Sequence, residues 1–139
     1  MKLRVVRIAA LAALAVALGA CRQPVDPEHV AAKINQGVPK PYVDGLVIQH
    51  AHVDGKRLVV DIRIPFATVA KLDPKKLPFM RTQEQGDLNI AACKDDDLHE
   101  LMKKSYEVSR RFLDKDGKLV FEIVAMKAPN CKLFGGSTP

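Results

Sequence analysis

Two histidines and an aspartate in the middle of the chain have the types and spacing for chemistry. His50 and His52 stand two apart in "QHAHVDGKRLVVDIR", so on a β-strand both rings project from one face. If the chain turns back at Asp54-Gly55, Asp61 lies about one cross-strand step from His50. Two imidazoles and a carboxylate could hold a divalent cation. Arg57 and Arg63 fall on the same face and would repel one, and no third histidine is near in sequence. The simpler reading is a polar sheet face on which His meets Asp and Arg. His50, His52, Arg57 and Arg63 then form the face expected to meet a partner, and an exposed sheet edge beside it would invite strand addition.

The other constellations carry less. Asp114-x-Asp116-Gly117 looks like part of a calcium loop, but the remaining EF-hand positions fall on Phe112 and Ile123, which cannot ligate. Asp95-Asp96-Asp97 has a reason to be acidic at a helix start. Ser105, Ser109 and Ser137 lie in no nucleophile elbow. There is no glycine-rich dinucleotide loop, Walker motif or HExxH. Without Trp, a stacking platform for sugars or bases is not expected. The chain is therefore expected to have no catalytic residue and no cofactor, and not to be an enzyme.

The elements that position these residues follow from periodicity. Asp26-Pro27-Glu28 predicts a helix start, with Asp as cap, Pro in the first turn and Glu at the positive end of the dipole. Gly37 and the Pro39/Pro41 pair end that helix. Leu46 to Ile64 predicts a β-hairpin about Asp54-Gly55. Val47, Ala51, Val53, Leu58, Val60 and Ile62 face the core, and Ile48 joins the histidines on the opposite face. Ala67 to Ala92 is the least legible stretch: Asp73-Pro74-Lys75-Lys76 opens a helical turn that Pro78 is expected to cut short. A short helix covers Asp97 to Lys104, with Asp97 and Glu100 at capping-box spacing. A second hairpin turns at Asp114 to Gly117, with Tyr106, Val108, Phe112, Phe121 and Ile123 inward. Strands and helices are segregated, which predicts an α+β fold with a small antiparallel sheet of two β-hairpins and short helices.

The amino-terminal residues carry a different message. Met1 to Arg7 has Lys2, Arg4 and Arg7 and no acid, and Ile8 to Leu18 is eleven apolar residues. This is a charged region followed by a hydrophobic one too short to span a bilayer, as in an export signal. Leu18-Gly19-Ala20-Cys21 follows and resembles the lipobox of bacterial lipoproteins. The resemblance implies cleavage before Cys21, lipid on its thiol and acylation of the new amino terminus. Two or three acyl chains hold a protein stably at a membrane, where one does not. Residue 22 is Arg rather than Asp. By the enterobacterial pattern that implies the periplasmic face of the outer membrane.

Removal of residues 1–20 takes Lys2, Arg4 and Arg7 with it. The 19 remaining of the 22 basic residues then face 16 acidic ones, a net charge near +3 rather than +6. Bases and acids interleave, with no clustered basic face of the kind that reads nucleic acid, so no nucleic-acid partner is expected. Once Cys21 is lipidated two cysteines remain, and an oxidising compartment predicts a Cys93–Cys131 disulfide. Free thiols and intermolecular pairing are the alternatives; no CxxC context suggests a redox pair. The predicted organisation is a signal over 1–20, a tether with a short helix over 21–41, an α+β domain over 42–133 and a flexible tail over 134–139.

Anchor, strand pattern and the segment "SYEVSRRFLDKDGKLVFEIV" between the two cysteines resemble small proteobacterial periplasmic lipoproteins, and more loosely the secretion pilotins. Pilotins are disulfide-bearing α+β lipoproteins that carry a secretin subunit to the outer membrane. The resemblance implies a lipid-anchored module with a protein partner in the envelope, serving as an assembly or accessory factor or an immunity-type inhibitor. The alternatives are a small metal-dependent or hydrolytic periplasmic enzyme using His50, His52 and Asp61, and a structural envelope lipoprotein.

Overall fold

The Asp26 carboxylate accepts the His29 N–H at 2.7 Å, and Pro27 opens α1 (Pro27–Asn35) within its first turn. That start follows the sequence: an extended acidic cap satisfies an orphan N–H, and Pro has none to lose. A computed structural model describes residues 24–125, 127 and 131–134; Cys21 and the signal expected over 1–20 lie outside the described residues. After α1 come β1 (Lys40–Pro41), β2 (Val47–Asp54), β3 (Arg57–Arg63), α2 (Leu77–Lys94), α3 (Asp96–Lys103), β4 (Glu107–Leu113) and β5 (Leu119–Val124).

The strands form one five-stranded sheet in chain order, β1 to β5. Pairings are antiparallel except between β3 and β4, which run parallel with Arg57 opposite Glu107 and Arg63 opposite Leu113. The expected antiparallel sheet of two hairpins is thus corrected to a mixed sheet. The cause is the stretch between the strand pairs. Parallel neighbours require a long crossover, and α2 and α3 supply it, returning the chain to start β4 beside the beginning of β3. α2 itself was expected to stop at Pro78. It runs 18 residues because Pro78 falls in its first turn, where no backbone hydrogen bond is lost. The cap of α3 is Asp95, not Asp97: its carboxylate accepts from the Asp97 and Leu98 N–H groups, each at 3.0 Å.

All three helices contribute to the core on one face of the sheet. Val30 and Ala31 of α1, Leu88 and Ala92 of α2 and Leu101 of α3 pack with Ala51, Leu58, Val60, Ile62, Val108, Phe112, Phe121 and Ile123. α1, read from the sequence as part of a tether, is therefore seated in the domain, and β1 belongs to the sheet. Phe112 and Phe121 stack at 4.4 Å between centroids, an offset contact of the kind that adds to area burial.

Register departs from simple alternation at two places, between Ile48 and His50 on β2 and between Phe112 and Leu113 on β4. A bulge between Ile48 and His50 puts Ile48 opposite Ile62 and Val47 opposite Arg63. An extra residue in one strand reverses the faces beyond it. Ile48 accordingly packs against the core, and the expected assignment of Val47 inward and Ile48 outward is reversed. The tight turn is also one residue later than expected: Asp54 pairs with Arg57, leaving Gly55 and Lys56 as the loop. Gly55 has φ 58 and Lys56 is not in the positive-φ region, which fits the II′ requirement for Gly at the first loop position and not I′.

The Cys93–Cys131 disulfide is present, with Cα atoms 5.4 Å apart. It ties the 3-10 turn Cys131–Phe134 to the last turn of α2. Asp114 organises the β4–β5 connection. Its Oδ1 accepts from the Asp116 and Lys118 N–H groups at 2.9 and 2.8 Å, and its Oδ2 from Val69 at 2.9 Å. These donors hold its carboxyl below the usual carboxylate range, the Val69 N–H foremost.

Candidate functional site

Two surfaces compete as the site. The first is the sheet face away from the helices, where the sequence placed its chemistry. His50 and His52 do project together there, with rings stacked at 5.7 Å and nearly parallel. Asp61 sits opposite His50 in register, yet its carboxylate is engaged elsewhere. Arg111 Nε and Nη2 donate to its two oxygens at 2.8 and 3.0 Å, a bidentate clamp. His52 Nδ1 lies 3.9 Å from Asp61 Oδ2, too far for a hydrogen bond. That nitrogen is buried without a hydrogen-bond partner, as is Ser109 Oγ.

Arg57 is likewise occupied. Its Nε and Nη2 donate to Glu107 Oε2 at 2.9 and 2.7 Å, and Nη1 to Glu122 at 3.3 Å. Arg63 sits at the far end of β3, half-buried beside Val47 and Leu113. The expected face therefore exists as a face, but most of its charge is spent internally. Among the described residues no group of three His, Cys, Asp or Glu side chains is arranged to hold a metal.

The sheet edges are partly closed. On β2, Asn35 Nδ2 donates to the Ala51 carbonyl and its Oδ1 accepts the Ala51 N–H, both at 2.7 Å. One side-chain amide thus takes the place of a neighbouring strand. On β5, Gln85 Nε2 donates to the Val124 carbonyl at 2.8 Å. Such cover at an edge discourages strand addition.

The second surface lies on the helix side, and sequence reasoning missed it. A cleft of about 510 Å³ opens between α2 and the 3-10 turn Val43–Gly45, with Leu46, Phe66, Phe79 and Met80 in its walls. Phe66 and Phe79 are 66% and 73% exposed, an unusual position for large aromatics unless something covers them. Asp44 and Gly45 take φ of 52 and 76 to make the turn, and the Phe66 ring rests near Gly45.

At the cleft is a partly buried polar triad built on the buried Glu84. The Tyr42 hydroxyl donates to Glu84 Oε2 at 2.8 Å and accepts from Arg110 Nη1 at 2.8 Å. Arg110 stands 3.6 Å from the same Glu84 oxygen, and its guanidinium lies over the Tyr42 ring at 5.5 Å. Burial pushes the Glu84 carboxyl above its ordinary range, against the downward pull of the Tyr42 hydroxyl and the Arg110 cation. Burial likewise raises the Tyr42 phenol. With one hydroxyl bridging the acid and the base, the triad can orient side chains; it presents no free nucleophile. Two signals could have found it. Arg110 occupies an inward alternation position between Val108 and Phe112, and Glu84 lies seven residues from Leu77 and four from Leu88, on the core stripe of a helix.

No family model matches the chain, and no curated protein matches it significantly. Solved structures share its fold. A provisionally assigned secreted protein of Pseudomonas aeruginosa is similar with a TM-score of 0.58 at 17% identity, over 76% of this chain and 88% of that one. The EpsS pilotin of the Vibrio vulnificus type 2 secretion system is similar with a TM-score of 0.55 at 12% identity, over 74% and 86%.

Proposed function

We propose that this protein is a lipid-anchored periplasmic module that binds another envelope protein, as an accessory or assembly factor of secretion, and that it has no catalytic activity of its own. The fold held in common with a type 2 secretion pilotin across three quarters of the chain is the observation that carries this reading. The Leu18-Gly19-Ala20-Cys21 pattern and the Cys93–Cys131 disulfide agree with an exported chain. Anchor and domain would also be close. From Cys21 to Val25 are four residue steps, at most about 14 Å of extended chain, and Lys104 Nζ donates to the Val25 carbonyl, holding that end to α3. A domain so tethered meets membrane-bound partners at high effective concentration.

The test is Cys21→Ser in intact cells, read by palmitate labelling, by separation of inner and outer membranes, and by in-cell crosslinking with mass spectrometry. The parent chain should take up label, sediment with the outer membrane and crosslink reproducibly to one envelope protein; the variant should do none of these. Unchanged labelling and sedimentation of the variant would overturn the anchor, and no crosslinked partner for the parent would overturn the binding role.

A further inference from the structure

Phe66 and Phe79 are the most exposed large hydrophobic side chains among the described residues, and both line the α2 cleft. Met80 lines it too, a side chain that adapts to irregular apolar ligands. Lys75 and Lys76 also line it and are exposed. Neither ammonium has an ion-pair partner among the described residues. Glu84 is neutralised from within by Tyr42 and Arg110. Among the charged residues that line the cleft, Asp44 is then one carboxylate against two ammonium groups. The outer sheet face is the reverse case, with Arg57 and Arg111 already paired.

We infer that the cleft between α2 and the Val43–Gly45 turn is the docking site for an acidic segment of a partner protein, anchored by an apolar side chain between Phe66 and Phe79. The inference rests on the binding role proposed above and names the surface and the chemistry of its partner. An apolar anchor removes both rings from water, and Asp or Glu beside it meets the two free lysines. A basic segment would be repelled by the same pair.

The experiment places a photoreactive benzoylphenylalanine at position 79, and separately at position 50 on the outer sheet face, in the full chain expressed in its own cells. Crosslinked peptides are sequenced by mass spectrometry. Position 79 should yield a segment of another protein rich in Asp and Glu, and position 50 should not. In Lys75→Glu/Lys76→Glu the yield should fall about tenfold, since two exposed ion pairs become two repulsions. Lys56→Glu, a control on the β2–β3 turn, should leave it unchanged. Thermal melts establish that each variant is folded. A mapped segment that is basic or lacks carboxylates would overturn the inference, as would lipid or a second copy of this chain at position 79. So would a yield indifferent to the lysine reversal. Product at position 50 alone overturns the cleft and leaves the binding role standing; product at neither position overturns both.

Discussion

Arg110→Met strips the cation from the triad while keeping most of the side-chain volume. Glu84 is 3% exposed and then retains only the Tyr42 hydroxyl of the two groups that face it. Removing one partner of a buried ion pair costs about 3–5 kcal/mol, because the other charge is left without compensation. The 3.6 Å separation and the hydroxyl that remains place this case at the low end, about 3 kcal/mol. For a domain of this size that is a fall in Tm of about 12 °C. The double variant Arg110→Met/Glu84→Gln should recover most of the loss, since no buried charge remains and the amide oxygen can still accept from Tyr42. The deficit also has a pH signature. The folded-state pKa of Glu84 is already raised by burial, and loss of Arg110 raises it further. A carboxyl whose pKa is higher when folded keeps its proton in the folded state after the unfolded chain has lost its own. The resulting penalty is absent below the unfolded value of about 4.3 and grows as pH rises through the folded value. Urea unfolding followed by circular dichroism at about pH 7.5 and about pH 5 measures this directly. A loss under about 1 kcal/mol at the higher pH, or an equal loss at both, would refute the picture of Glu84 as a buried anion held by Arg110.

Asn35→Ala should cost about 2–4 kcal/mol in the same assay, since the N–H and C=O of a 1% exposed Ala51 both lose their partner. It should also raise aggregation measured by light scattering, because the edge of β2 is then open. Cys93→Ser/Cys131→Ser should lose about 4 kcal/mol from a bridge spanning 38 residues, with an unfolding midpoint that no longer responds to reductant. Asp114→Asn should flatten the acid limb of the stability profile. The pKa of Asp114 is lowered in the fold, so its contribution is complete above the unfolded value of about 3.9 and is lost as pH falls through the folded one.

Local chemistry was legible where one short stretch decides it. Asp26 before Pro27 made a helix start whatever the rest of the chain did, because cap and first-turn proline act on their own backbone. Alternation located β2 to β5, and the two cysteines left once Cys21 is set aside indicated their own pairing. Spacing also brought His50 and His52 to one face, since period two is a property of the strand alone. The failures share a different cause. Nothing near Gln49 announces the bulge that turns Ile48 inward, because a bulge is settled by which partner residue each strand position meets. Pro78 was expected to cut α2 short, and the core stripe of that helix carries Glu84, a residue whose partners are distant in sequence. That glutamate is tolerated only because Tyr42, just after β1, and Arg110, from β4, arrive beside it. With α2 unseen, the parallel junction of β3 with β4 could not be inferred. The occupation of Asp61 by Arg111, and the cleft that Phe66 and Phe79 line together, likewise join residues from separate parts of the chain. The sequence alone determined caps and strands, which are governed by neighbours along the chain. Strand direction, the polar triad and the exposed cleft were decided by tertiary packing, because each depends on groups that only the folded chain brings together.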